Sequence, residues 1–140
     1  MEENNTLSYI VVSIIGGLLF GFLDGIINAN PLAKKLYLVY KPILKPSLNI
    51  YAGIIIDLLY GFILAGFFIL LFDSIPGSTG LLKGLSFAGL LWFLRVVMSV
   101  LTNWMMFSIP IKTLLYNLFT GMGEMLVLGI LYGIFLTPWS

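Results

Sequence analysis

Four ionisable side chains lie inside otherwise apolar runs of this sequence: Asp24, Asp57, Arg95 and Glu124. Carboxylates and a guanidinium in such surroundings can form ion pairs, exchange a proton or bind a charged solute. Each is expensive without a partner, because a charge at the centre of a bilayer costs about 3 kcal/mol on insertion scales and more on an isolated helix. Arg95 is the sharpest case. It sits in GLLWFLRVVMSV, residues 89 to 100, and arginine does not escape burial by losing its proton. It must pair, line a wet cavity or snorkel to the interface, and its mid-span position makes snorkelling difficult. Asp57 and Glu124 are its expected partners, since each can accept guanidinium hydrogen bonds. The surplus of carboxylates over the single cation then has to be balanced by a proton or a bound cation.

Other chemistries are excluded by composition. The chain has no cysteine and no histidine, so thiol redox chemistry, disulfides and the usual zinc and haem ligands are absent, along with the usual general base. No carboxylates fall at a metal-binding spacing and no nucleophile signature is present, so neither a cofactor, a metal nor an enzymatic role is expected. The stretch DSIPGSTGLLKG contains the residue types of a phosphate loop, but its spacing is wrong and no strand precedes it, so it reads as a turn.

Hydrophobic residues make up 60% of the 140-residue chain and charged ones 9%. Seven basic and six acidic side chains cannot solvate the surface of a water-borne protein of this size, so the expected solvent, and the first expected partner, is the lipid bilayer. Nucleic acid is not an expected partner.

A hydrocarbon core of about 30 Å needs roughly 20 apolar residues per helix. Four stretches meet that length, near residues 9–27, 48–72, 81–104 and 111–136. Backbone groups in lipid must pair within their own segment, so these are helices. The expected fold is an all-α membrane protein, a single integral domain built as a four-helix transmembrane bundle. Tyr9, Tyr51, Trp104 and Trp139 stand near the span ends as interfacial anchors. The opening MEENNTLSY has glutamates where a signal peptide would carry basic residues, so the first span is expected to be kept.

Lys34, Lys35, Lys41 and Lys45 lie between spans one and two and Lys112 at the start of span four beside the third loop, whereas the opposite side has only Lys83, at the start of span three. The positive-inside rule therefore puts the basic loop 28–47 in the cytoplasm and both termini outside, in a plasma (inner) membrane. Within that loop Asn30 and Pro31 resemble a helix cap and first-turn proline. Leu32, Leu36, Val39 and Tyr40 recur at helical spacing, and Lys34, Lys35, Lys41 and Lys45 are placed to meet lipid headgroups.

At about 1.5 Å per residue, Asp57 and Arg95 both lie about 13 Å from the loop-one boundary, with Glu124 roughly a turn deeper. Asp24 is three residues from the end of its span, at the mouth of such a cluster. Polar residues share faces with these charges: Asn28 with Asp24, Ser99 and Thr102 with Arg95, Asn117 and Thr120 with Glu124. Glycines mark the packing faces. Gly17, Gly21 and Gly25 form a ridge at every fourth position, and Gly61 with Ala65 and Gly129 with Gly133 repeat the spacing.

A weak internal repeat is also visible. A shift of 72 residues lays GLLF at Gly17 on GLLW at Gly89, and LLYGFIL at Leu58 on ILYGIFL at Ile130. The chain then reads as two tandem helical hairpins in parallel orientation. Taken together, these features suit an oligomeric transporter or channel-like protein for a small solute or ion, assembling with copies of itself or with another membrane subunit. The alternative is an accessory subunit whose charges form a structural ion pair.

The orientation is open to a direct check, because the chain has no native thiol. Lys35→Cys should react with a membrane-impermeant maleimide only after the cells are permeabilised; labelling in intact cells would invert the topology.

Overall fold

A computed structural model describes residues 2–136. Its elements are helical throughout the described residues: α1 Glu2–Ala29, α2 Pro31–Leu36, α3 Ile50–Leu71, α4 Gly80–Leu91, α5 Met98–Met106 and α6 Ile111–Phe135. A 3₁₀ segment, Tyr37–Ile43, continues α2, and a π-helical segment, Trp92–Val97, joins α4 to α5 without a break. Four helices, Asn5–Ala29, Ile50–Ser74, Gly80–Met106 and Ile111–Phe135, are long and apolar enough to cross a membrane. These are the four expected spans. The first helix begins earlier than Tyr9, at Glu2, and the others agree within the ordinary uncertainty of helix ends.

Local chemistry sets the starts. The side chains of Asn30, Asn49 and Thr79 accept hydrogen bonds from the backbone N–H groups of Ala33, Ala52 and Leu82, at 2.8, 3.1 and 3.2 Å. Each satisfies a donor that the first helical turn leaves unpaired. The turn between α3 and α4 needs Gly77, whose φ of 141° is open mainly to glycine. Lys83 fastens that turn: its ammonium donates to the carbonyls of Phe72 and Ile75 and lies over the Phe72 ring.

The helices pair as two hairpins, α1 on α3 and α4 on α6, with α1 also touching α6. Glycine makes both seams. A Cβ at Gly17 would sit 2.8 Å from the Leu58 Cα, and one at Gly61 would strike the backbone of Ser13 and Gly17. In the second hairpin a Cβ at Gly84 would meet the Gly129 carbonyl, and one at Gly133 would lie 2.6 Å from the Gly80 oxygen. Gly61 and Gly133, which coincide under the 72-residue shift, thus do the same job in each hairpin. Two glycine expectations need correction. Gly25 has nothing within 4 Å, and Gly21 admits the side chain of Asp57 rather than a backbone. The third-span members of the seam, Gly80 and Gly84 with Ala88, were not singled out from the sequence although they repeat at every fourth position.

Between the hairpins, at the end nearer the α3–α4 turn, the core is dry and aromatic. Phe68, Phe87 and Tyr132 are fully buried, with Phe68 edge-on to Phe87 at 5.3 Å. Tyr132 donates its hydroxyl to the Gly61 carbonyl at 2.9 Å, tying the two hairpins together. Tyr9 likewise donates to the Phe62 carbonyl at 2.8 Å, so it is a packing residue as well as a span-end aromatic. Tyr51 and Trp104 are exposed as anchors should be, while Trp139 lies outside the described residues.

The basic loop folds back onto the start of α6. Thr113 Oγ1 donates to the Leu36 carbonyl at 2.6 Å, Asn30 Nδ2 to the Tyr116 hydroxyl at 2.8 Å, and Tyr37 to Asn117 Oδ1 at 2.6 Å. Lys34, Lys35, Lys41 and Lys45 are all exposed, beside exposed Leu32, Leu38 and Ile43.

Gly84→Ala and Gly61→Ala should each destabilise the bundle by about 1–3 kcal/mol, the usual effect of overpacking a tight interface, while Gly25→Ala should not. Denaturation in mixed micelles would check this, and unchanged midpoints for the first two would contradict the seams.

Candidate functional site

Below the aromatic layer, at the end nearer loop one, the hairpins part around a polar crevice of about 400 Å³. The last turns of α1 contribute Asp24 and Asn28 to its wall, and α6 contributes Asn117, Thr120, Gly121 and Glu124. The third span adds Arg95, Ser99 and Asn103, while Tyr60 comes from α3 and Tyr37 from the 3₁₀ segment.

Arg95 reaches the crevice from the π-helical segment. There the Met98 N–H bonds to the carbonyl of Phe93, five residues back, which widens the turn in the manner common at functional sites. α6 receives that turn closely: the Trp92 indole N–H donates to the Leu118 carbonyl at 2.9 Å, and Gly121 leaves room for Val96, whose γ carbons would lie 2.7 Å from a Cβ there.

The expected ion pairs of Arg95 with Asp57 and Glu124 are not formed. Among the described residues, no carboxylate oxygen lies within 4.0 Å of the Arg95 nitrogens. Its guanidinium carbon instead stands 4.9 Å from the centre of the Phe20 ring and 5.1 Å from that of Tyr60. Such contacts are worth about 0.5–2 kcal/mol each, more when dry. They place the cation over the rings and leave its N–H groups without an acceptor among the described residues. Arg95 is half-buried, as is Asp24; Glu124 is the one charged side chain buried among the described residues, at 6% exposed.

Glu124 presents the complementary problem. Its Oε2 is buried and has no hydrogen-bond donor, an arrangement that costs about 1–3 kcal/mol or more for a charged group. The carboxyl of Asp24 faces it closely enough for the two to share a hydrogen. Two facing carboxyls close only around a proton or another cation. Asp24, expected at the mouth of the cluster, is therefore the neighbour of Glu124.

Asp57 belongs elsewhere. It is half-buried against Gly21 and lines a separate groove of about 700 Å³ between α1 and α3, with Lys45 and Ser47 at the groove's end. Thr102 is also outside the crevice, exposed and bonded within its own helix to the Met98 carbonyl. Asn28, Ser99, Asn117 and Thr120 do line it. Tyr37, Tyr60, Phe20 and Asn103 were missed as site residues. Asn103 was readable, two helical turns beyond Arg95 on the same face, whereas Tyr37 is brought in by a loop that sequence spacing alone does not place. The Tyr37 hydroxyl is pushed up to about 12 by burial and by Tyr116 and Tyr40, so it stays protonated and donates to Asn117.

These features define a four-span helical membrane protein with a charged, polar crevice open towards one end. No family model, curated protein or solved structure matches the chain.

A hydrated crevice should be chemically accessible. Cysteine reacts as its thiolate, which water supports and lipid does not, so Asn103→Cys should react with a soluble methanethiosulfonate at least about tenfold faster than Leu94→Cys on the lipid-facing side. Equal, slow rates at both positions would mean the crevice is dry.

Proposed function

We propose that this chain is a membrane transport protein that moves a small polar solute or ion through the crevice lined by Asp24, Arg95 and Glu124. The observation that carries the reading is the separation of opposite charges. A structural ion pair would close on itself, whereas here the guanidinium lies on aromatic rings and the carboxyls lie on each other. Buried charge left unsatisfied within a membrane is costly and marks solute or ion pathways. The position of the crevice also supports the reading. It lies at the loop-one end while Phe68, Phe87 and Tyr132 fill the opposite end, and transporters work by exposing a midplane site to one side at a time.

The protein is placed by this reading in the plasma membrane, with loop one in the cytoplasm and both termini outside. Lys34, Lys35, Lys41 and Lys45 lie against anionic headgroups, at about 1 kcal/mol for each basic residue near the surface. Leu32, Leu38 and Ile43 dip below them. A second copy packs on the open face around Gly25, and no bond-making chemistry takes place.

Reconstituted liposomes test the reading. Counterflow of small polar solutes, and dye-reported proton or cation flux, should exceed that of empty vesicles, and Glu124→Gln should lower the rate at least about tenfold, the size of effect expected when a buried partner is removed, without changing assembly. If the wild type gives no flux while Glu124→Gln dissociates a complex or lowers yield, the chain is an accessory subunit.

A further inference from the structure

Building on the transport reading, on which it depends, we infer that the crevice binds a small zwitterion, a molecule carrying one anionic group and one ammonium. Two observations carry this. Arg95 rests over Phe20 and Tyr60 with its N–H groups unpaired among the described residues, so they remain available to a planar or tetrahedral oxyanion, which arginine is best suited to bind. In the same crevice, Glu124 is 6% exposed, its Oε2 has no donor, and it faces the carboxyl of Asp24. That carboxyl pair requires something positive with hydrogens to donate.

A single inorganic anion would satisfy Arg95 and leave the carboxyls worse off. A metal cation or a lone proton would satisfy the carboxyls and leave the guanidinium unpaired. A ligand with both charges meets both needs at once and brings no net charge into the bilayer, which lowers the cost of carrying it across. The side-chain amides of Asn28 and Asn117 and the hydroxyl of Ser99 at the crevice wall can hydrogen-bond such a ligand. The volume, about 400 Å³, falls at the low end of the range of about 300–1,000 Å³ usual for small-molecule sites. It suits a free amino acid or an aminosulfonate better than a peptide or a nucleotide.

Ligand binding can be measured apart from transport, using the full chain in nanodiscs. The proteinogenic amino acids and taurine are added singly and scored by thermal shift and equilibrium dialysis, with propionate and ethylammonium as analogues that carry only one of the two charges. The expected result is that at least one zwitterion raises the melting temperature by several degrees and that its single-charge analogues do not. Arg95→Lys, which keeps the charge and loses the fork, and Glu124→Gln should each weaken that binding at least tenfold. Because the wild-type panel already discriminates, the outcome does not depend on either variant folding. Propionate or ethylammonium binding as well as every zwitterion, or no zwitterion binding at all, would overturn the inference. Solute or proton flux in liposomes without zwitterion binding would overturn it while leaving transport intact, and binding without any flux would uphold it against the transport reading.

Discussion

Lipid tails are as apolar as the helices they surround, so helices in a membrane gain little from hiding hydrophobic surface and must be held by close packing and hydrogen bonds. In this chain that constraint is met by backbone contact at glycine. Gly17 with Gly61, and Gly84 with Gly129 and Gly133, draw the members of each hairpin together until no side chain fits between them. The contact between hairpins is of another kind, made by bulky rings and by the Tyr132 hydroxyl on the Gly61 carbonyl. Two glycine-tight pairs joined by aromatic packing at one end must part at the other. The crevice is the space that this difference leaves.

The same logic explains how an arginine is tolerated in GLLWFLRVVMSV. The glycine seam fixes α4 against α6 up to Ala88, and the π-helical segment that follows re-aims the chain just beyond it. Gly121 admits Val96 and the Leu118 carbonyl receives Trp92, so the widened turn is braced by the helix it faces. Arg95 is thereby carried towards the crevice, where Phe20 of α1 and Tyr60 of α3 supply the surfaces on which it rests. The first hairpin holds the cation and the second hairpin presents it. Neither could place it alone.

How much of this was legible in the sequence follows from the range of each interaction. Spans, the Asn30–Pro31 helix start and the glycine spacing are local, fixed by apolar length, capping chemistry and the helical period, and the structure reproduces them apart from the earlier start of α1 and the two ridge members, Gly21 and Gly25, that meet no backbone. Depth along the bilayer is also local, and it correctly placed Arg95 near Glu124. What depth cannot give is the rotation of a helix about its axis. Asp57 has nearly the right depth for the cluster, yet α3 turns it towards Gly21 and the outer groove, and turns Tyr60, three residues on, towards Arg95. Asp24 looked too close to the span end, but α1 faces it across the crevice at Glu124. The π-helical turn had no proline or glycine to announce it. The contacts that brace it, Trp92 on the Leu118 carbonyl and Val96 on Gly121, lie in α6, outside the segment itself.

The absence of an Arg95 ion pair among the described residues therefore bears on how these charges are used. Evolution towards a structural pair would favour a carboxylate on the wall nearest the guanidinium, since breaking or withholding a buried partner is far more costly than omitting both charges. In that place the chain has phenylalanine and tyrosine, which stabilise the cation by their faces and leave its donors unused. The carboxyls of Asp24 and Glu124 line the same crevice and face each other, within electrostatic reach of the cation but not paired with it. Such an arrangement holds two complementary needs in one crevice, and a bundle that only had to stay folded would gain by closing it. The packing that seals one end of the bundle with Phe68, Phe87 and Tyr132 thus does not bring Arg95 to a carboxylate at the other.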